Sequence, residues 1–421
     1  MKAALYQGVY NIEIADLPDY ECGDDAIILK NIYSSICGTD FAVYHHGLGM
    51  GHRITLGGEF GHETICRVSA VGRNVKDVKV GDRVYPYPIL VTGDRKRAGT
   101  IGGFSEYIYC PCPEWEKSIY HVDDAITDKM AALIEPFTVG CRAARRGMPQ
   151  KGEKAVVFGA GTIGIAAAIA LKYFGCEQVV ICDYSDFRLE ICKQLGFEIY
   201  NNKKDDELTG LLNILGKNVG INGDAIDCDI WVDAAGADSV MSAYEKFGKY
   251  NSRMVLVAVG TNKREIDVLG LTFGQKSITG SGGYSHEDVM DVMKIMKSKK
   301  WDIEKLITHE YHLEELSKAD NLKLIWFKVI CFFHIIFTHG YHSHRMATVF
   351  IAVTDDDCTN ICAAQIAKKV FHIEKVVARI YDEEKIPLVT GMEIDTICPT
   401  RLSEKEIADY IQIGGRDYVG K

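Results

Sequence analysis

The sequence predicts an α/β protein: an antiparallel, barrel-type β region, then a doubly wound parallel sheet, with an extra partial α/β segment behind it. Three observations predict it. Residues 1–148 alternate short apolar runs with Gly/Asp/Pro turns, residues from Lys151 onward alternate buried strands with helices, and a new strand–helix–strand pattern starts at Val349. At 421 residues the chain holds two or three domains of about 150 residues each. Hydrophobic residues make up 47% and charged residues 25%, a soluble-globular balance that excludes disordered and collagen-like structure. A net charge of −10 with interspersed signs provides no basic face for nucleic acid or an anionic membrane.

Within the β region the apolar runs are Ala26 to Leu29, Thr64 to Val71, Arg83 to Tyr87 and Phe104 to Tyr109, with Val80-Gly81-Asp82 turning the chain into the third. In the α/β region Ala155 to Phe158 is a buried strand and Ile163 to Phe174 an Ala-rich helix stopped by Gly175. Val179 to Cys182 is the next strand and Arg188 to Leu195 the next helix, followed by strands at Ile230 to Asp233, Met254 to Val259 and Ser277 to Gly280. His286 to Lys299 is an amphipathic helix. The expected domain limits are 1–148 for the barrel, 149–284 for the parallel sheet, 285–330 for a return to the barrel, 331–348 for a linker and 349–421 for the last segment.

Leu324 to Phe337 is strongly apolar, broken by Lys328 and His334. As a helix it would span roughly 21 Å, short of the ~30 Å hydrocarbon core, so no membrane span is expected. Met1 to Gln7 contains no apolar core of signal-peptide length, so no signal peptide is expected. The 14 cysteines are scattered, which suits buried thiols plus one or two metal ligands in a cytoplasmic protein.

Gly159-Ala160-Gly161-Thr162-Ile163-Gly164 is a G-x-G-x-x-G run that follows a strand and opens a helix. Its glycines allow a tight turn and close approach of the backbone to a pyrophosphate at the helix N-terminus. The following strand ends in Asp183, whose carboxylate would accept from a ribose 2′-hydroxyl and repel a 2′-phosphate, favouring NAD over NADP. Arg188 is the nearest cation, better suited to the helix surface than to a phosphate.

Cys37-Gly38-Thr39-Asp40 lies in a loop after a β run, and Gly57-Gly58-Glu59-Phe60-Gly61-His62-Glu63 follows it. Cysteine, histidine and carboxylate are the donors of a zinc site that keeps one position open for chemistry. A lone Cys or His here reads more readily as core packing; both motifs, ahead of a dinucleotide loop, reverse that and read as a metal centre.

With these motifs, residues 1 to about 330 resemble the zinc-dependent medium-chain dehydrogenases, the alcohol and polyol dehydrogenases. The likeness extends through Gly102-Gly103-Phe104-Ser105-Glu106-Tyr107, Leu133-Ile134-Glu135-Pro136 and Ala144-Arg145-Arg146-Gly147. It implies a GroES-like barrel, a Rossmann domain inserted between its parts, and a homo-oligomer, dimer or tetramer. Cys37 and His62 then match zinc ligands. Glu63 is the favoured third ligand, with Glu135 touching a metal-bound water or exchanging onto the metal; either glutamate could instead pair with a neighbouring arginine. Asp40 matches a carboxylate behind the ligands, and Thr39 the hydroxyl that takes the alcohol proton and relays it. His46 is either a pocket or relay residue or a surface histidine. Pro88 to Ser105 contains no cysteine, so one zinc per subunit is expected. The implied reaction is hydride transfer from a secondary alcohol to NAD. A polyol or vicinal diol of sorbitol type is favoured by Arg145-Arg146-Gly147; threonine and 2,3-butanediol are alternatives, and Ala42 departs from the histidine common in threonine dehydrogenases. A non-catalytic NAD sensor linked to potassium transport is a further alternative.

Val349 to about Gln412 resembles the later half of TrkA-type, or RCK, nucleotide-binding domains, without the glycine loop such a fold carries in its first half. A half sheet leaves an edge that must pair or be covered. The segment is a relic packed on the dehydrogenase or pairing between subunits, a sequence joined by deletion or assembly error, or a regulatory module. His334, His339, His342 and His344 read as linker residues before a metal site.

Overall fold

A computed structural model of the chain describes residues 1–49, 54–91, 97–203, 205, 208–260, 263–316, 328–332, 349–352, 357–369, 375–390, 392 and 394–397. The chain divides into two units, Met1–Ile335 and Ile336–Lys421.

In the first unit the alternating runs become a seven-stranded sheet. Ala26–Ser35 is its central strand, pairing antiparallel with Glu63–Val71 along most of its length and with Tyr107–Pro111 near its start. Arg83–Pro86 and Ile119–His121 extend one side. The sheet closes over Ile27, Leu29, Cys66, Val68, Val84 and Ile108, all buried. A smaller sheet, Asn11–Asp16, Lys2–Gly8 and Gly58–Glu59, covers the chain that leads to His62.

The cofactor-type domain is a six-stranded parallel sheet. Its order is Glu198–Asn201, Gln178–Asp183, Lys154–Phe158, Ile230–Asp233, Arg253–Leu256, Ser277–Gly280. Strand order reverses at Lys154–Phe158, so the crevice beyond its carboxyl end opens at Gly159, where α/β sheets bind their ligands. Helix Thr162–Tyr173 packs against helix Ile134–Arg146 from the barrel side; a Cβ on Gly140 would lie 2.5 Å from Ala166 Cβ, so glycine lets the two helices touch. Helix His286–Ser298 is fastened to the same helix by Arg145, which donates to Asp288 at 2.6 Å and Asp291 at 2.5 Å.

Two expectations are corrected. Residues Gly38–His46 are a helix, not a loop: Cys37 caps it and donates its N–H to Asp40 at 2.8 Å, so Cys37-x-x-Asp40 acts as a capping pair. The run from Phe104 enters the sheet only at Tyr107, because Phe104 bonds instead to the chain beside the metal motif. Within the apolar run Leu324–Phe337, for which no element is assigned from the sequence, Lys328–Phe332 is a strand. It pairs with Ile307–His312, parallel, and with Ser35-Ser34-Tyr33, antiparallel. The linker histidines lie outside the described residues. No helix of the described residues is long and apolar enough to cross a membrane.

The second unit contains a three-stranded parallel sheet, Val349–Ala352, Lys375–Arg379 and Ile394–Ile397, with helix Asp357–Lys369 packed on it. Asp357 accepts the N–H groups of Tyr381 and Asp382 at 2.8 Å each, tying the helix start to the end of the middle strand.

Candidate active site

The end of the central strand Ala26–Ser35, the helix Gly38–His46 and the start of strand Glu63–Val71 meet at one point. There Cys37, His62 and Glu63 each offer one ligand atom, all within 4.8 Å of one another. It is the one such group among the described residues. His62 and Glu63 are buried and Cys37 half-buried, so the group has a dry back and an open front.

Neighbours hold each donor. Asp40 reaches both ligands, through Oδ2 to the Cys37 N–H at 2.8 Å and through Oδ1 to His62 Nδ1 at 3.6 Å. Burial works against a charged imidazole at His62, yet the charges of Asp40 and Cys37 raise its pKa well above the usual value. The Ser35 hydroxyl donates to the Glu63 carboxylate, and its oxygen lies 3.2 Å from the Ala132 carbonyl. Thr39 Oγ1 lies 2.8 Å from Cys37 Sγ, placing a hydroxyl beside the thiol at the open side. This donor set fits a catalytic zinc: a thiolate, an imidazole and a carboxylate converge, with acidic support behind the histidine.

Glu135 stands in the first turn of helix Ile134–Arg146, outside the group of three. After burial, its negative charge is the next largest influence raising the Tyr85 and Tyr87 phenols, and it also raises Tyr284. Tyr85 and Tyr284 meet hydroxyl to hydroxyl at 2.7 Å, and Tyr87 donates to the Tyr284 carbonyl at 3.2 Å. Glu135 thus faces a tyrosine cluster where the barrel joins the chain leaving the parallel sheet. His46 is exposed in the last turn of its helix, about 13 Å along the axis from Cys37, and is not brought into the group.

At the glycine loop, Gly159 has φ +104 and a Cβ there would lie 2.9 Å from the Ala234 backbone. A Cβ on Gly164 would fall 1.9 Å from Gly159 O, whereas one on Gly161 meets nothing within 4 Å. Two glycines close the turn and the third leaves space at the N-terminus of the helix that Thr162 and Ile163 begin. The Asp183 carboxylate accepts from Ala160 N at 2.7 Å and Ser185 N at 2.8 Å, with Arg188 Nη1 3.6 Å away.

Sequence reasoning missed Ser35, Tyr85, Tyr284 and Arg264, the last donating to Asp233 at 3.0 Å beside the same crevice. The paired serines ending the strand Ala26–Ser35 two residues before Cys37 are a signal that could have found Ser35. Nothing in the sequence marks the other three, whose partners lie far away along the chain.

Comparison with known proteins agrees with this geometry. The alcohol dehydrogenase GroES-like domain model matches residues 23–118 and the zinc-binding dehydrogenase model residues 162–298. The first unit therefore belongs to the zinc-dependent medium-chain dehydrogenases, oxidoreductases acting on CH–OH donors. Among its relatives are L-threonine 3-dehydrogenases of Pectobacterium atrosepticum, 27% identical over 73% of this chain and 86% of that protein, and of Vibrio cholerae, 27% identical over 75% and 92%. Among solved structures, 2R,3R-butanediol dehydrogenase from Bacillus subtilis superposes with a TM-score of 0.68 at 24% identity, over 79% of this chain and 99% of the other. The TrkA-N domain model matches residues 344–399.

Proposed function

We propose that the protein is a zinc- and NAD-dependent dehydrogenase that oxidises the secondary alcohol of a polyol or vicinal diol of sorbitol type. The observation that carries this reading is the convergence of Cys37, His62 and Glu63 within 4.8 Å, with the Thr39 hydroxyl 2.8 Å from Cys37 Sγ. Bound there, zinc would polarise the substrate hydroxyl and lower its pKa, while the nicotinamide would supply the hydride acceptor. The chain's own groups do the rest. Asp40 and Ser35 fix the donor atoms. Thr39 takes the alcohol proton and passes it on, since a hydroxyl cannot keep it at neutral pH. Glu135 stands by to meet a water on the metal, and the tyrosines around it limit access of bulk water. The Gly159 loop receives the pyrophosphate and Asp183 the ribose, which favours NAD.

One zinc per subunit is supported by the lack of cysteines in Pro88–Ser105. A homo-oligomer is supported by the outermost strand Ser277–Gly280, which among the described residues pairs on one side only. Nearby Val268, Leu269 and Phe273 are exposed. Arg145-Arg146-Gly147 and Ala42 speak for the polyol branch, while the relatives' names speak for threonine or 2,3-butanediol. A second reading, an NAD sensor acting on potassium transport, has the TrkA-N match in its favour. NADH formation by full-length, zinc-loaded protein on sorbitol, xylitol, 2,3-butanediol, L-threonine and simple secondary alcohols, each beside a chelated control, separates these. Zinc-dependent turnover on sorbitol or xylitol supports the proposal, turnover confined to threonine overturns the substrate class, and NAD binding without turnover favours the sensor.

A further inference from the structure

Glu59 is buried, 1% exposed, three residues before His62, yet it is not part of the metal group. Its carboxylate is instead closed by three side chains distant in sequence. Arg97 Nε donates to Oε2 at 2.6 Å, Tyr20 donates to the same oxygen at 3.1 Å, and Ser105 donates to Oε1 at 2.5 Å. The Arg97 guanidinium lies 4.0 Å over the Tyr20 ring, and the Glu59 N–H donates to the Arg97 carbonyl at 2.9 Å. The same stretch holds the next two residues. Phe104 N donates to Phe60 O at 2.9 Å, Gly103 N to Gly61 O at 2.8 Å, and Thr100 Oγ1 to Gly61 O at 3.2 Å. Gly61 has φ +86, and a Cβ there would sit 2.6 Å from the Phe104 ring.

Every residue from Glu59 to Gly61 is therefore fixed by Arg97–Ser105 before the chain delivers His62 and Glu63. We propose that the Glu59–Arg97 pair is a metal-free brace for this stretch, making Arg97 a positioning residue for the metal centre. A buried carboxylate is tolerated only with a charged partner. Removing Arg97 leaves Glu59 to seek water, and the backbone bonded to Arg97 moves with it. The brace occupies a stretch free of cysteine, so it orders these residues by an ion pair rather than by metal.

The inference rests on the zinc reading of Cys37, His62 and Glu63. The test is zinc content of the full-length protein followed by the rate of zinc transfer to a chromophoric chelator, for wild type, Arg97→Met, Glu59→Gln and the double variant. NAD binding reports that the parallel-sheet domain is intact. Arg97→Met releases zinc at least tenfold faster, and the double variant recovers part of that loss, because no charge is left buried, but still releases zinc severalfold faster than wild type, because the brace is gone. If Arg97→Met does not fold, Glu59→Gln alone decides, with release accelerated severalfold. Unchanged release in the folded single variants overturns the brace and leaves the zinc reading standing. A double variant as fast as Arg97→Met overturns the role of charge pairing. A wild type that binds no zinc overturns the metal reading and the brace with it.

Discussion

Asp40 Oδ1 stands 3.6 Å from His62 Nδ1 while its Oδ2 accepts the Cys37 N–H at 2.8 Å. One buried carboxylate thus orients a ligand on each side of the candidate metal centre and caps the helix between them. Asp40→Asn is expected to weaken zinc binding by about 10–100-fold with a parallel loss of turnover. Chelator competition against the folded variant checks this, and wild-type affinity would contradict it.

The glycine loop separates packing from binding. Gly164→Ala is expected to destabilise the protein by about 3 kcal/mol or more, since its Cβ would fall 1.9 Å from Gly159 O. Gly161 has an ordinary φ of −79 and open space around it, so Gly161→Ala should change stability by less than about 0.5 kcal/mol. It should nonetheless weaken NAD binding. Denaturant melts and NAD titrations of the pair check both halves.

Asp183 joins the end of its strand to Ala160 N at 2.7 Å and faces Arg188 at 3.6 Å. Asp183→Ala is expected to lower kcat/KM for NAD by about tenfold or more and to raise the relative use of NADP, as a lost charged hydrogen bond of about 1.5–3 kcal/mol requires. Steady-state kinetics with both cofactors reads the ratio. A ratio equal to wild type removes the ribose contact.

Asp227 supplies a pH test far from the metal. Burial alone would push its carboxyl up, but Lys249 and Lys154, each donating at 2.9 Å, and Asn218 hold it well below the usual carboxylate range. A depressed folded-state pKa adds stability above the unfolded value of about 3.9 and loses it as pH falls below. Asp227→Asn should therefore cost about 1–2 kcal/mol at pH 7, with the difference shrinking steadily below about pH 4. Urea melts from pH 7 to pH 2 measure it.

Where the chain follows one periodicity, the sequence discloses the structure closely. Ile230–Asp233 and Ser277–Gly280 fall where their apolar runs predict, and the helix from Thr162 begins one residue before its expected start. The failures share a cause. An apolar run such as Leu324–Phe337 is ambiguous between helix and strand, and at Lys328–Phe332 the pairing with Tyr33–Ser35 on one side and Ile307–His312 on the other makes it a strand. Cys37 hid a helix start because cysteine is an uncommon cap, so Asp40 was legible as a metal-site acid but not as a capping acid. At the site, residue types point to Cys37, His62 and a nearby carboxylate, and the family resemblance points to Glu63 and Thr39; the structure brings the four side chains together. The Glu59–Arg97 and Tyr85–Tyr284 contacts were not legible, since each joins segments 38 and 199 residues apart and local pattern carries no trace of them.

The central claim is that Cys37, His62 and Glu63 hold the zinc that turnover needs. The most direct measurement is zinc content, NADH formation and NAD binding for wild type beside Cys37→Ser, on whichever alcohol the wild type oxidises. The expected result is one zinc per subunit and turnover in wild type, with both lost and NAD binding retained in Cys37→Ser. A variant that keeps its zinc and most of its activity would contradict the account.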